Sequence, residues 1–137
     1  MVYVEIISGL WIGTVDMMYN KAFLKDNQIT LIFNCTQDYK FTDDTTIKNI
    51  RIPLSDNLMN TIDKIRVHKD KILSSIDTSL ETHNILVCCY DGITNSPFIV
   101  SLYLLNYGGI AKDNIKKIIQ SKHTGISMDY DIDLLDL

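Results

Sequence analysis

The segment Ile85–Pro97, ILVCCYDGITNSP, decides how the rest of the chain is interpreted. It begins as an apolar strand, passes through a tight turn that contains Gly92, and continues into a helix whose first turn tolerates Pro97. A turn of this kind directs main-chain N–H groups and the positive end of the helix dipole towards one point, which favours an anion. A cysteine at the base of the turn, Cys89, would have its thiolate stabilised there. The pattern alone leaves a second interpretation open, in which Cys88 and Cys89 are buried residues at the end of a strand.

Short β-branched strands and amphipathic helices alternate on both sides of this segment. The predicted strands cover residues 2–7, 10–12, 30–34, 47–52 and 84–88, and the predicted helices cover 15–25, 61–80, 112–122 and 130–137, with another between Pro97 and Gly108. We expect Ser8 and Gly9 to join the first two strands as a hairpin. The helix that contains Pro97 has Ser96 or Asn95 available as its cap. The alternation predicts an α/β fold with a central mixed, largely parallel sheet flanked by helices. No linker divides the chain, so residues 1–137 are expected to form a single domain.

The charge and cysteine content argue against several classes of protein. The chain has 137 residues with 13 Lys and Arg against 17 Asp and Glu, and its net charge of −4 disfavours nucleic-acid binding through a broad basic surface. Polar residues interrupt the uncharged run 92–111, which predicts a buried helix rather than a membrane span. Three cysteines, two of them adjacent, with no signal peptide predicted, indicate a reducing, cytoplasmic location. The histidines lack metal-ligand spacing, so we expect no metal and no cofactor.

The opening segment resembles the phosphate loop of the cysteine-dependent protein tyrosine phosphatases, and specifically of the small dual-specificity phosphatases. That loop runs from an apolar strand through His-Cys, two residues, Gly, two residues, Arg and Ser or Thr into a helix. In this chain Cys88 stands at the histidine position, Cys89 at the nucleophile, Gly92 at the glycine and Ser96 at the hydroxyl. Asn95 stands where the arginine belongs. The phosphate-binding loop that the resemblance implies comprises Cys89, Tyr90, Asp91, Gly92, Ile93, Thr94, Asn95 and Ser96.

Other segments extend the resemblance over nearly the whole chain. GLWIG at 9–13 and LIFNCT at 31–36 are similar to two early strands of the family, and 118–135 resembles its closing helices. IPLSD at 52–56 is similar to the segment whose aspartate is the general acid, which assigns that role to Asp56. Several separated segments in the family's order are more specific than one loop. The resemblance therefore implies a protein tyrosine phosphatase-like fold.

The resemblance also implies a role for each matching side chain. Cys89 would attack phosphorus, Asp56 would protonate the leaving group, and Ser96 would help the thiolate to leave. The family's arginine holds two phosphoryl oxygens at once and keeps its charge at any working pH, whereas Asn95 retains a donor but lacks the charge and the fork. Losing one preorganised donor typically costs about 10²–10³ in rate.

Two further differences weaken the predicted site. Cys88 replaces a histidine that supports the thiolate, and Asp91 adds a negative charge to a loop that receives a dianion, unless its side chain points to solvent. The chain has two arginines, Arg51 and Arg66, and neither lies in the loop. A surface arginine on a helix, such as Arg66, is usually solvated.

These observations predict a catalytically inactive or severely impaired dual-specificity phosphatase homologue, a pseudophosphatase. It would bind a protein partner, phosphorylated or not, with no nucleic acid or membrane involved. The alternative is an active phosphatase that hydrolyses phosphotyrosine, phosphoserine or phosphothreonine through a phosphocysteine intermediate. A third hypothesis is an interaction platform, such as a homodimer, in which the pocket plays no part.

Overall fold

A computed structural model of the chain describes residues 3–91, 94–123, 126, 128 and 130–137. Gly92 and Ile93 of the predicted phosphate-binding loop lie outside the described residues, as does residue 2 of the first predicted strand. All five predicted strands are present, and their positions agree with the sequence prediction to within about two residues. They are β1 (Tyr3–Ile7), β2 (Leu10–Thr14), β3 (Ile29–Asn34), β4 (Lys48–Arg51) and β5 (Asn84–Cys89).

The five strands form one sheet in the order β1-β2-β5-β3-β4. Only β1 and β2 pair antiparallel, and the pairs β2–β5, β5–β3 and β3–β4 are parallel. The prediction of a mixed, largely parallel sheet is therefore confirmed. The predicted hairpin is also present, with Gly9 in its turn at a φ of +85°, a conformation that L side chains rarely adopt. Because β5 is the central strand, its carboxyl end lies between those of β2 and β3.

Helices cover both faces of the sheet. They are α1 (Lys21–Asp26), α2 (Leu58–Ser79), α3 (Asn95–Asn106) and α4 (Lys112–Lys122). Successive side chains of β5 enter opposite layers, because side chains alternate between the two faces of a strand. Val87 and Cys89 belong to the core formed with α2, α3 and α4, whereas Leu86 and Cys88 belong to a smaller core formed with α1.

The structure changes three details of the helix prediction. The helix expected over 15–25 is divided into a 3₁₀ turn, Val15–Tyr19, and α1, because the Asn20 side chain accepts a hydrogen bond from the Phe23 N–H and begins a new helix. Similarly, α2 begins earlier than expected because Asn57 caps it through the Met59 N–H at 3.0 Å. The last helix, expected over 130–137, is only the 3₁₀ turn Ile132–Leu135.

The helix after the loop is buried, as the sequence predicts. Every residue from Asn95 to Leu104 in α3 is buried. Its predicted cap is wrong, because the helix already begins at Asn95, and the capping residue Thr94 makes no side-chain cap hydrogen bond. Asn95 and Ser96 instead lie in the first helical turn, where their side chains are free to act in tertiary contacts. No helix in the described part of the chain is long and apolar enough to cross a membrane.

Candidate active site

Cys89 lies at the carboxyl end of the central strand and faces the first turn of α3. Its Sγ accepts a hydrogen bond from the Ser96 N–H at 3.4 Å and lies 3.2 Å from the Ser96 Oγ. Both residues are buried. The strand-turn-helix pattern of the sequence dictates this arrangement, because the chain must turn between β5 and α3. The predicted nucleophile and the predicted hydroxyl partner are therefore in contact.

Cys88 faces the opposite side of the sheet and does not contribute to this arrangement. Its Sγ donates to the main-chain oxygen of Phe33 at 3.6 Å, among the apolar side chains next to α1. Burial raises the pKa of the Cys88 thiol well above its usual range, and the nearby Cys89 acts in the same direction. The interpretation of Cys88 as a buried strand residue is the one that its position supports. The side chain at the family's histidine position is thus directed away from the loop.

Asn95, at the arginine position, is fully buried and engaged with another part of the chain. Its Nδ2 donates a hydrogen bond to the main-chain oxygen of Ser55, in the segment between β4 and α2. Its Oδ1 is buried and has no hydrogen-bond partner among the described residues. The side chain therefore connects the start of α3 to the residue before Asp56, and this contact uses the amide donor that position 95 retains.

Neither arginine supplies the missing charge. Arg51 donates to the main-chain oxygens of Thr36 at 3.0 Å and Tyr39 at 2.6 Å, and its guanidinium lies 4.8 Å from the centre of the Phe41 ring. Arg66 is exposed and forms an ion pair with Asp63 on its own helix. Arg66 is a surface residue, as expected, and the contacts of Arg51 direct its guanidinium to another part of the chain. One organises a neighbouring loop and the other remains on the surface of α2.

Asp91 directs its carboxylate towards the site. Its Oδ1 accepts a hydrogen bond from the Cys89 Sγ at 3.7 Å and another from the Thr94 Oγ1 at 3.2 Å. The sequence leaves the direction of this side chain open, and the structure places it at the thiol. A carboxylate in that position repels a thiolate and an incoming phosphate dianion alike. Asp91 therefore opposes the chemistry that the retained cysteine and serine would perform.

Asp56 lies beside the loop, next to Ser55, which accepts the hydrogen bond from Asn95. It is exposed, and it lines a cavity of about 720 Å³ to which Thr94 of the loop also contributes. The remaining lining residues are Asn57, Leu58, Met59, Tyr130, Asp131 and Leu134. The described lining residues therefore include two carboxylates, those of Asp56 and Asp131, and no basic side chain. The predicted acid, Asp56, therefore shares a cavity with Thr94 of the loop and with a second carboxylate, that of Asp131.

A comparison with protein families identifies the relatives of this chain. The family model for the dual specificity phosphatase catalytic domain matches residues 10–132. The chain belongs to the dual specificity phosphatase family. The match covers four of the five strands, β2 to β5, and it includes the loop, Asp56 and the helices α1 to α4.

Individual relatives of this dual specificity phosphatase homologue are distant in sequence but close in fold. The chain is 28% identical over 121 residues to dual specificity protein phosphatase 1B from Arabidopsis thaliana, covering 86% of this chain and 70% of that protein. It superposes on human DUSP28 with a TM-score of 0.84 at 15% identity, covering 97% and 92% of the two chains. The human tyrosine phosphatase-like serine/threonine/tyrosine-interacting protein gives a TM-score of 0.75 at 20% identity, covering 98% and 93%. The predicted phosphatase fold is confirmed.

Within this dual specificity phosphatase fold, sequence reasoning missed the residues that fix the loop from outside. The Tyr90 hydroxyl accepts from the Gln37 N–H at 3.0 Å, and its ring packs edge-on against Tyr39 at 5.9 Å. Tyr90 belongs to the predicted loop, but its partners Gln37 and Tyr39 escaped prediction, as did Ser55 and Asp131. No local pattern marks any of them, because each depends on distant segments meeting at one edge of the sheet. In the described part of the chain, no three His, Cys, Asp or Glu side chains lie close enough together to hold a metal ion.

Proposed function

We propose that this dual specificity phosphatase homologue is catalytically inactive or severely impaired and acts as a binding module for a protein partner. The observation that carries the proposal is the environment of Asn95. A neutral amide occupies the position where the family has a charged fork, and its donor is already bonded to the Ser55 oxygen. Phosphoryl transfer depends mainly on positioning and charge stabilisation of the phosphoryl oxygens. A site without a cation at this position lacks the larger part of that stabilisation.

The charges around the loop support the same proposal. Asp91 lies at the thiol, and Asp56 and Asp131 line a cavity that shares Thr94 with the loop. Each carboxylate repels a phosphate dianion, and neither Arg51 nor Arg66 is placed to offset them. We therefore expect the module to recognise protein surface rather than phosphate, and any phosphoprotein to bind only weakly through the main-chain N–H groups of the loop.

The human phosphatase-like neighbour is consistent with a binding role. Its name describes it as a tyrosine phosphatase-like interacting protein, and its fold matches this chain at a TM-score of 0.75. We extend this type of role to the present chain as part of the proposal. The proposed partner is a protein, and a homodimer, in which the partner is a second copy of this chain, is one case.

An active phosphatase is the second candidate, and one observation favours it. Cys89 Sγ and Ser96 Oγ are 3.2 Å apart, which is the contact that would help a phosphocysteine to break down. Asp56 also lines a cavity to which Thr94 of the loop contributes. This candidate predicts turnover that depends on Cys89, through attack of its sulfur on phosphorus and loss of the phosphate ester's alcohol or phenol.

Turnover of p-nitrophenyl phosphate by wild type and by Cys89→Ser separates the two candidates. We expect the two proteins to be indistinguishable from pH 5 to pH 8. In parallel, a fluorescein-labelled phosphotyrosine peptide and its unphosphorylated form should bind within about threefold of each other, since the phosphate meets the Asp91 carboxylate at the thiol. Turnover by wild type at rates typical of active relatives, abolished in Cys89→Ser, would overturn the proposal.

A further inference from the structure

A second groove lies away from the candidate active site, between the edge strand β4 and helix α2. It encloses about 430 Å³. Its floor is apolar and includes Ile50 and Ile52 from β4 and the segment after it, together with Phe33 and Ile72. Apolar surface at the side of a sheet edge is the environment that an added strand covers in β-augmentation.

The edge of the sheet at β4 has main-chain groups available for pairing. The Ile52 N–H donates to the Asn34 oxygen of β3 at 2.9 Å, which fixes the direction of every second residue in the strand. By alternation, the main-chain N–H and C=O groups of Asn49 and the N–H of Arg51 point away from β3. Among the described residues, no hydrogen bond reaches those groups. The sheet order places β4 at the edge, where it pairs with β3 on one side, and no strand among the described residues pairs with its other side.

Basic side chains from α2 form the rim of this groove. Lys64, His68 and Lys71 line it, and no acidic residue is among its described lining residues. This distinguishes it from three other surface cavities, which include Asp56, Asp38 or Asp44 among their lining residues. Arg51 also lines the groove, but its guanidinium donates to the main-chain oxygens of Thr36 and Tyr39 and is not part of the rim. On a chain with a net charge of −4, the groove is a local basic region. It is complementary to an acidic ligand.

The rim has the length of a short strand. Lys64, His68, Lys71 and Ser75 line the groove at intervals of four, three and four residues, which keeps them on one face of α2. They extend over about 16 Å of helix. Five residues of an extended chain cover about the same distance. An extended segment therefore fits alongside both the strand edge and the rim.

We propose that the groove between β4 and α2 binds an acidic segment of a partner protein, which adds to β4 as a sixth strand. Main-chain hydrogen bonds to Asn49 and Arg51 would hold the segment, apolar side chains would cover Ile50 and Ile52, and carboxylates would meet Lys71 and its neighbours. This binding is separate from the chemistry of Cys89. It stands whether the chain is a pseudophosphatase or an active phosphatase.

The probe for this proposal is a fluorescein-labelled heptapeptide, ETVTITE, in which alternate residues face the groove. Glutamates would reach the basic rim, Val and Ile would cover the floor, and the threonines would face outward. Its binding to the full chain is measured by fluorescence anisotropy and compared with that of KTVTITK. We expect ETVTITE to bind at least about tenfold more tightly, because like charges face each other in the other complex.

Charge reversal on the rim tests the orientation of the peptide. Lys71→Glu should weaken the binding of ETVTITE about threefold to tenfold and strengthen the binding of KTVTITK. Lys117→Glu on α4 makes the same charge change away from the groove and should alter the binding of neither peptide. Cys89→Ser should bind ETVTITE as wild type does, because the groove is separate from the phosphate loop. The outcome for this proposal is therefore independent of the outcome for the proposed function. A thermal melt of each variant checks that it is folded.

Backbone methylation of the peptide tests strand addition itself. In an added strand, alternate N–H groups point to β4, so N-methylation of one alternate set should abolish binding and N-methylation of the other should not. Equal effects of the two sets, equal binding of the two charged peptides, or equal effects of Lys71→Glu and Lys117→Glu would overturn the proposal. The proposal would also be overturned if an anionic lipid vesicle or a single-stranded oligonucleotide displaced ETVTITE with an affinity equal to that of the peptide. Those ligands present negative charge but cannot add a strand.

Discussion

The side-chain amide of Asn95 donates a hydrogen bond to the main-chain oxygen of Ser55, 40 residues earlier in the chain. It joins the first turn of α3 to the segment that carries Asp56. At the position where the family has a cation for its substrate, this chain has a neutral link between two of its own segments. The loss of the arginine is therefore accompanied by a structural role for the residue that replaced it.

That role predicts a stability cost when Asn95 is changed. Asn95→Ala removes the donor and leaves the Ser55 oxygen without its partner, so we expect the free energy of unfolding to fall by about 1–3 kcal/mol. At pH 7, Asn95→Asp should lower the free energy of unfolding more than Asn95→Ala does, because it buries an unpaired charge beside the Ser55 carbonyl oxygen. Urea denaturation measures both. Asn60→Ala, at an exposed position of α2, is the matched control and should change little; equal costs at positions 60 and 95 would contradict the role.

Buried thiols predict a loss of stability at alkaline pH. Burial raises the pKa of Cys88, and of Cys35, above the value of 9.0 for an exposed thiol. Above about pH 9 the unfolded chain loses these protons while the folded chain keeps them, so the free energy of unfolding falls by about 1.4 kcal/mol per pH unit for each thiol. Between pH 9 and pH 11, Cys88→Ala should reduce this slope by the contribution of one thiol, about 1.4 kcal/mol per pH unit.

Tyr130 provides an internal comparison for the alkaline measurement. Burial raises its pKa from 10.0 to about 12. By the same sign argument, its contribution to the slope begins near pH 10 rather than pH 9. Tyr130→Phe should therefore leave the slope between pH 9 and pH 10 unchanged and reduce it above pH 10. Urea denaturation at half-unit pH intervals distinguishes the two variants, and identical slopes in both variants and wild type would contradict the account.

The sequence predicts the sheet well because strand signals are local. Short β-branched runs, the alternation of strands with helices and the Gly9 turn require no knowledge of distant contacts. Helix boundaries were less well predicted, although their signals are also local. Asn20 divides a helix that the apolar pattern treats as continuous, and Asn57 starts another before that pattern begins. In both places a side-chain cap overrides the apolar spacing.

The candidate site is predictable only where the chain itself sets the geometry. The contact between Cys89 and Ser96 follows from a strand that turns directly into a helix. The link from Asn95 to Ser55 does not, because it depends on how the segment after β4 packs against α3. The direction of Asp91 is equally hidden, since a charged residue in a turn has solvent as its default surroundings.

Removing the carboxylate at the thiol should improve anion binding. Asp91→Asn keeps the shape of the side chain and its contact with Thr94, but it removes the charge that lies 3.7 Å from the Cys89 sulfur. We expect the affinity for tungstate, measured by isothermal titration calorimetry, to rise about threefold to tenfold. Asp63→Asn, on the surface of α2, is the charge-matched control and should have no effect. A lower affinity in Asp91→Asn would show that the carboxylate supports the loop rather than opposing the anion.

The central claim is that the replacement of the arginine at position 95 disables a site whose nucleophile remains in place. The most direct measurement is the turnover of p-nitrophenyl phosphate by the Cys88→His, Asn95→Arg double variant, with and without Cys89→Ser. The account predicts that the double variant gains turnover of at least about 10² over wild type and loses it with Cys89→Ser, because the restored fork stabilises the phosphoryl oxygens. Wild type that already turns over at the rate of the double variant, in a manner that depends on Cys89, would contradict it.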